Sequence, residues 1–444
     1  DANIDPKLFV DNLSINFEKL IPSLGCEIND FIRTTEERHI KASQYLWKKL
    51  EDNNQIYLSN YEGWYSIRDE AFYTENELTK KNDTYYAPSG AKVEWVKEES
   101  YFFKLSNWQN KLLEFYDKNI DFIKPSSRRN EVISFVKNGL RDLSVSRTSF
   151  SWGIKVPNHG SHVIYVWIDA LTNYLSAIKY PESFENENYW KNSIHIIGKD
   201  ILKFHAIYWP AILMAADLTP PKQIFAHGWW TNEGQKISKS LGNAIDPYEI
   251  IDKYGLDQIR YFLFREVPFG NDGDFSKSAI SNRVNADLSN NYGNLIQRVL
   301  SFIVKNCDSN VNPTSDLERI DKELVNNFDI KFKEYFKHME CQNIDKSIKA
   351  IMELLSSTNA YIDQQAPWSL KKTNPQRMET VLYLVSTIII KSTVMLFPII
   401  PQSASIVLSF FELDIKNIKF DLLNEIALKK IKVINPRPIF PRIE

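Results

Sequence analysis

The sequence predicts an α/β protein, a doubly wound parallel sheet interrupted by a mostly β module and followed by an all-helical bundle. Three observations carry this. Continuous apolar runs at 163–168, 194–197 and 223–226, each ending in small or polar residues, describe strands covered on both faces. Between 56 and 154 the pattern is one of short, aromatic-rich strands and turns. Beyond about residue 274 the chain turns helical for the rest of its 444 residues.

In chain order, apolar residues recur at helical spacing over 6–20 and 34–50, with a short extended piece at 29–33 between them. Thr34 and Glu37 have the spacing of a capping box for the second helix. A helix is expected over 201–216, and Leu288, Tyr292, Leu295, Val299 and Ile303 mark one apolar stripe in the bundle. The run 381–400 is apolar enough to raise a membrane span, but Lys391 in its middle costs about 2.5–3.5 kcal/mol there. A buried helix closed by Pro398 and Pro401 is the reading taken. The segment 436–444 has three prolines and cannot be helical.

Composition narrows the function classes. With 54 Lys plus Arg against 56 Asp plus Glu, the surface offers no broad basic field, so any contact with nucleic acid is local. Three cysteines without metal-ligand spacing suggest a reducing compartment, the cytoplasm. The chain starts at Asp1, and neither an intact start nor a targeting peptide is recognisable.

Ligands of a doubly wound sheet bind beyond the carboxyl ends of its strands. Those ends carry Trp167 and Asp169, Gly198 and Asp200, and His227 and Gly228, which are expected to converge on one crevice. Gly198 lets a ribose or phosphate approach the backbone; Asp200 can accept from ribose hydroxyls or cap the helix that follows. After the turn Asn232-Glu233-Gly234 comes Lys236-Ile237-Ser238-Lys239-Ser240-Leu241-Gly242-Asn243, which brings two lysines and small hydroxyls to a loop suited to a triphosphate. As a bare pattern that loop is usually only solvated charge. Trp167 alone reads as a core aromatic, and His205 as a satisfied core histidine.

The loop resembles the KMSKS signature of class I aminoacyl-tRNA synthetases, with Ile237 for the usual Met. The run from His227-Gly228-Trp229-Trp230 through Asn243 is similar to that of methionyl-tRNA synthetases. The likeness extends to Gly63-Trp64-Tyr65 with Glu70-Ala71-Phe72, Val93-Glu94-Trp95, Tyr165-Val166-Trp167-Ile168-Asp169-Ala170 and Ile197-Gly198-Lys199-Asp200. It implies a Rossmann-like catalytic domain with an inserted connective module, then an anticodon-binding bundle. The reading is 1–55 and 155–235 as the catalytic halves and 56–154 as the insertion, with 236–285 as the loop and stem-contact region, 286–435 as the anticodon domain and 436–444 as a tail.

By the same likeness, Trp167, Ala170, Tyr174, Ile201, His205 and Tyr208 line a methionine pocket, where aromatic faces suit a thioether. Gly198, Asp200, His227, Gly228 and Trp230 hold ATP, and Lys236 and Lys239 carry catalysis with Mg²⁺. Asn294 and Arg298, four apart on one helix face, and Trp368 read the tRNA(Met) anticodon. The bland readings of those three are a solvent face and a partly exposed core residue. An HIGH-type motif, which the likeness also implies, is absent from these residues, and His159-Gly160-Ser161-His162 reads as a polar turn before a strand rather than a substitute. Ser66 and Asp69 stand where many relatives carry a zinc-binding cysteine pair, so the insertion is expected to fold without zinc. A monomer without membrane association is expected. The rivals are a synthetase for leucine, isoleucine, valine or cysteine, disfavoured for the branched side chains by the lack of an editing-sized insertion, and a tRNA-binding protein that has lost catalysis.

Overall fold

A computed structural model describes residues 4–66, 71–73, 75–81, 83–183, 187–237, 242–313, 316–418 and 429–443. The chain forms two compact units, Asp1–Lys19 with Ile28–His227, and Leu20–Glu27 with Gly228–Glu444.

The first unit is built on a three-stranded parallel sheet in the order Ile194–Gly198, Gln223–His227, Ile123–Lys124. The strand Ile123–Lys124 comes from the stretch read as insertion. The central strand is covered on both faces, whereas Ile194–Gly198 alternates, with Ile196 58% exposed, as an edge strand does. The run 163–168 is not a third parallel strand. Its first residues end the strand His159–Ile164, which pairs antiparallel with Ser146–Arg147 and Lys155–Val156, and the rest enter the helix Val166–Ala177. Ile168, Leu171 and Leu175 give that helix a buried face at spacings of three and four, a period that the continuous apolar run conceals. His159 through His162 therefore lie in a strand rather than a turn.

The expected helix 201–216 is a composite of a 3₁₀ turn Lys199–Ile201, a π turn Phe204–Tyr208 and the helix Trp209–Ala215. Pro210 supplies the reason. In a continuous α-helix its ring would clash with the carbonyl of Ala206, to which it has no N–H to give. The chain widens just before Pro210, and the Tyr116 hydroxyl donates to the Ala206 carbonyl at 2.6 Å.

The helices Pro6–Ser23 and Glu37–Asp52 form, but 29–33 contains no strand, and the second helix has no Thr34 cap: Glu36 holds the N-cap position, accepts from the Arg33 backbone N–H and pairs with Arg38. In the insertion, Ile56–Ser66 and Glu94–Phe103 pair antiparallel with Trp64 opposite Trp95. Trp64 meets Trp95 edge-on at 5.4 Å and Tyr85 at 4.3 Å between ring centroids, so aromatic packing holds this strand pair to the Thr84–Tyr86 strand. Asp69 and Glu70 lie outside the described residues.

In the second unit, Trp230–Asn232 pairs with Gln235–Lys236 and, in parallel, with Gly273–Phe275. Helices begin at Pro247–Tyr254 and Leu256–Arg265, before the point from which the sequence reading runs helical. The stripe Leu288, Tyr292, Leu295, Val299 and Ile303 is fully buried. The apolar helix is Pro375–Leu396, capped by the Asn374 side chain; it is long and apolar enough to cross a membrane, and 89% of its apolar window is buried in the unit. It ends before Pro398, and Pro401 opens the next helix. The 436–443 tail is neither helix nor strand, and Ser289 donates to the Phe440 carbonyl at 3.0 Å.

Candidate active site

The two long parallel strands of the first unit end side by side, with Gly198 in register with His227. The Asp200 side chain folds back over Gly198 so closely that a Cβ there would lie 2.5 Å from Asp200 Oδ1 and 4.0 Å from His227 Cε1. Glycine lets the Asp200 carboxylate lie over this strand end and leaves the backbone open to a sugar or phosphate, whereas a side chain there would push that carboxylate aside. Asp200 is exposed and His227 half-buried, so a carboxylate and an imidazole flank the bare backbone.

Beside it, in the same unit, is an aromatic group. Trp167, in the first turn of Val166–Ala177 rather than at a strand end, stacks on Phe204 at 3.6 Å and an interplanar angle of 11°. Tyr208 meets Phe204 edge-on at 5.5 Å. The π turn brings Phe204, His205 and Tyr208 into one short segment, as π turns do at many functional sites. Tyr174 donates to Nε2 of His205 at 2.9 Å, and Nδ1 of His205 lies 3.0 Å from the Ile201 carbonyl. Since a carbonyl can only accept, Nδ1 carries the proton and Nε2 accepts from tyrosine. Burial lowers the His205 pKa, opposed by the Ile201 hydrogen bond, and pushes the Tyr174 hydroxyl up to about 12, so both are neutral. Ala170 and Ile201 are half-buried on the two segments that carry these rings.

Two further residues were not legible as site residues. His195, on the strand Ile194–Gly198, is 4% exposed and stacks on Tyr174 at 3.8 Å, with neither ring nitrogen hydrogen-bonded. Burial, with His205 nearby, pushes its pKa down to about 3. Asp169 is held by Nε2 of the buried His39 at 2.8 Å, and His39 Nδ1 meets Ser176 Oγ at 3.0 Å, which ties the Glu37–Asp52 helix to Val166–Ala177. For His195 the available signal was a histidine inside an apolar run, which by itself does not separate a site from a core; His39, between Arg38 and Ile40, offered no such signal.

In the second unit Trp230 packs into the core against Phe262 and Phe275, at 5.7 and 6.4 Å. Gly228 is buried where the Asn271 backbone leaves no room for a Cβ. Lys236 is exposed, its ammonium 5.6 Å from the Trp229 ring centroid. The lysine loop has a pinned base: Asn232 donates to the Asn243 carbonyl at 2.9 Å, and Asn243 donates to the Lys236 carbonyl at 3.0 Å. Lys239 lies outside the described residues.

Elsewhere in this unit the Arg298 guanidinium lies 5.5 Å over the Trp368 ring and pairs with Asp363 at 2.5 Å. Arg298 and Trp368 line a cavity of about 130 Å³. Asn294, exposed one turn away, lines a neighbouring hollow of about 250 Å³ with Gln297 and Arg442. The structure thus joins Arg298 to Trp368 and sets Asn294 beside them. Among the described residues no group of three or more His, Cys, Asp or Glu side chains could hold a metal ion.

Residues 1–300 match the family described as tRNA synthetases class I (M), and residues 311–435 the anticodon binding domain of methionyl tRNA ligase. The chain is 52% identical to the methionine–tRNA ligase of Rickettsia bellii, covering 100% of this chain and 88% of that one. It is 48% identical to that of Brucella suis, covering 99% and 86%. The structure of Mycobacterium tuberculosis methionyl-tRNA synthetase in complex with methionyl-adenylate superposes with a TM-score of 0.93 at 40% identity, covering 99% of this chain and 88% of that one. Two consecutive family matches, for the catalytic and the anticodon-binding parts, thus account for nearly the whole sequence, and the chain belongs to the methionine–tRNA ligases of class I.

Proposed function

We propose that the aromatic group of the first unit takes the methionine side chain and that the adjacent strand end takes ATP. The observation that carries this is the Tyr174–His205 pair beside Trp167 and Phe204, a neutral aromatic group within one helix–strand–helix segment of Gly198 and Asp200. Trp167, Ala170, Tyr174, Ile201, His205 and Tyr208 suit an uncharged thioether, since aromatic faces attract polarizable sulfur. Gly198, Asp200 and His227 suit the nucleoside, with Asp200 accepting from ribose hydroxyls. We extend the nucleotide assignment to Gly228 and Trp230 on family likeness alone, because their packing in the second unit's core explains both residues equally well.

In the first step the methionine carboxylate attacks the α-phosphorus of ATP, the bond to the β-phosphate oxygen breaks, and pyrophosphate leaves. The nucleophile is already ionised, so positioning and charge neutralisation matter more than a general base. Lys236 and Lys239 supply cations for the phosphates, and Mg²⁺ enters on ATP as part of the substrate. In the second step a hydroxyl of the terminal tRNA ribose attacks the acyl carbon and AMP departs. Arg298, Trp368 and Asn294 suit unpaired anticodon bases, by stacking and hydrogen bonding. A cytoplasmic monomer that does not associate with membranes completes the reading.

Methionine-dependent exchange of labelled pyrophosphate into ATP tests it, with leucine, isoleucine, valine and cysteine in parallel. Exchange with methionine alone, slowed in Lys239→Ala while tRNA affinity is nearly unchanged, is the expected result. Equal exchange with another amino acid sinks the pocket assignment, and an equal loss of tRNA binding in Lys239→Ala sinks the loop assignment.

A further inference from the structure

The lysine that stands in the middle of the longest apolar run has no part in the active site. Lys391 is half-buried on Pro375–Leu396, with its ammonium 4.6 Å from the Phe328 ring centroid. Among the described residues it makes no hydrogen bond or ion pair. Burial lowers its pKa, opposed by the charge of Asp329. It closes one side of a cavity of about 170 Å³ whose walls include Leu317, Val325, Phe328, Leu384 and Ile388.

A cation drawn into apolar surroundings without a hydrogen-bonding anion is unfavourable, and the two halves of this cup favour different chemistry. Apart from Tyr383 and Thr387 the walls are apolar and favour hydrocarbon; the ammonium favours a carboxylate. The volume is close to the ~150 Å³ of an apolar cavity known to hold benzene, which limits the hydrocarbon to a ring or a short chain. Inorganic phosphate or a nucleotide would bury more charge than one lysine can match. We propose that this cup is a binding site for a small amphiphilic carboxylate, its charge on Nζ of Lys391 and its hydrocarbon among Val325, Phe328, Leu384 and Ile388. The cavity is bounded by Arg319–Glu340 and Pro375–Leu396, so an occupant would bridge two helices of the bundle.

Titration calorimetry of hexanoate, hexanol and acetate against the full chain, Lys391→Gln and Val325→Glu tests the proposal, with thermal melts as the folding control. Val325 is 37% exposed, so its replacement adds a repelling charge at the rim without disturbing the core. Hexanoate is expected to bind the parent chain, to weaken about tenfold in Lys391→Gln, the worth of one charge-assisted hydrogen bond, and to weaken further in Val325→Glu. Hexanol should bind the parent and Lys391→Gln alike, and acetate neither. Hexanoate that gives no heat with the parent chain up to its solubility limit, or that binds all three proteins equally, overturns the site.

Discussion

Tyr174 and His205 form a one-way hydrogen bond: the tyrosine hydroxyl donates to Nε2 because the Ile201 carbonyl fixes the proton on Nδ1. The pair works only while the imidazole is neutral. Its depressed pKa means that this interaction is fully present above the ordinary histidine value of about 6.5 and is lost as pH falls through the folded-state value. KM for methionine in pyrophosphate exchange is therefore expected to be flat from neutral to alkaline pH and to rise on acidification. Tyr174→Phe should raise KM by roughly five- to tenfold at neutral pH, the net worth of about 1 kcal/mol for the bond, and should flatten the acid limb. An acid limb unchanged in Tyr174→Phe would assign it to another group.

His195 gives a prediction of the opposite sign. Both of its ring nitrogens are buried without partners, a burden that a phenyl ring of similar shape does not carry. His195→Phe keeps the stack on Tyr174 and is expected to leave stability at pH 7 unchanged or raised by about 1–3 kcal/mol. The acid dependence decides the cause. With a folded pKa near 3, the native state refuses a proton that the unfolded chain takes up near pH 6.5, so the parent loses stability on acidification. Between pH 7 and 5 urea melts should show the advantage of His195→Phe growing by about 2 kcal/mol. A constant gap would mean that His195 titrates normally.

The lysine loop is anchored rather than merely appended. Asn232 and Asn243 tie its two ends together through the carbonyls of Asn243 and Lys236. Asn232→Ala and Asn243→Ala are each expected to slow adenylate formation by about tenfold to a hundredfold, because small misplacements of charged groups have effects of that size. KM for methionine should hardly move. A variant that raises this KM and leaves kcat intact would show that the clamp serves the amino acid rather than the phosphates.

For the helical bundle, base stacking on an exposed indole is worth about 1–3 kcal/mol per base. Trp368 is 46% exposed with Arg298 over its ring, so Trp368→Ala should weaken tRNA binding by that amount in a filter assay. Pyrophosphate exchange should be unaffected. A variant that loses exchange but keeps tRNA affinity would remove Trp368 from the RNA-binding surface.

How much of this was legible in the sequence depended on whether the signal was local. The stripe from Leu288 to Ile303 follows from helical periodicity, and the apolar helix around Lys391 and the strands at 194 and 223 follow from continuous apolar runs; all of them formed. The 163–168 run misled because a strand end and a helix start are both apolar and share one window. The π turn before Pro210 depends on Tyr116, about ninety residues away, taking the freed carbonyl, a pairing that no local pattern carries. Among the site residues, Trp167 and His205 needed family likeness to rise above a core reading. His195 had no such help, since what distinguishes it is the absence of partners in three dimensions.

Stability of the bundle should turn on one buried ion pair. Asp321 is fully buried and meets the Arg377 guanidinium through both oxygens, at 2.5 and 2.8 Å, while Tyr361 donates to one of them and the Glu318 N–H to the other. Burial pushes the carboxyl pKa up, but the hydrogen bonds from Arg377, Tyr361 and Glu318 outweigh it and hold the value below the usual range. A lowered folded-state pKa makes this contribution complete above about pH 4 and lost as pH falls through the folded value. Removing one partner strands the other. Arg377→Met is therefore expected to lower stability by about 3–5 kcal/mol at neutral pH, while the double variant Asp321→Leu with Arg377→Met should recover much of that loss. Chemical denaturation of the four proteins of this cycle measures the coupling. Additive losses in the double variant would show that the two side chains stabilise the bundle independently, through their packing rather than their charge.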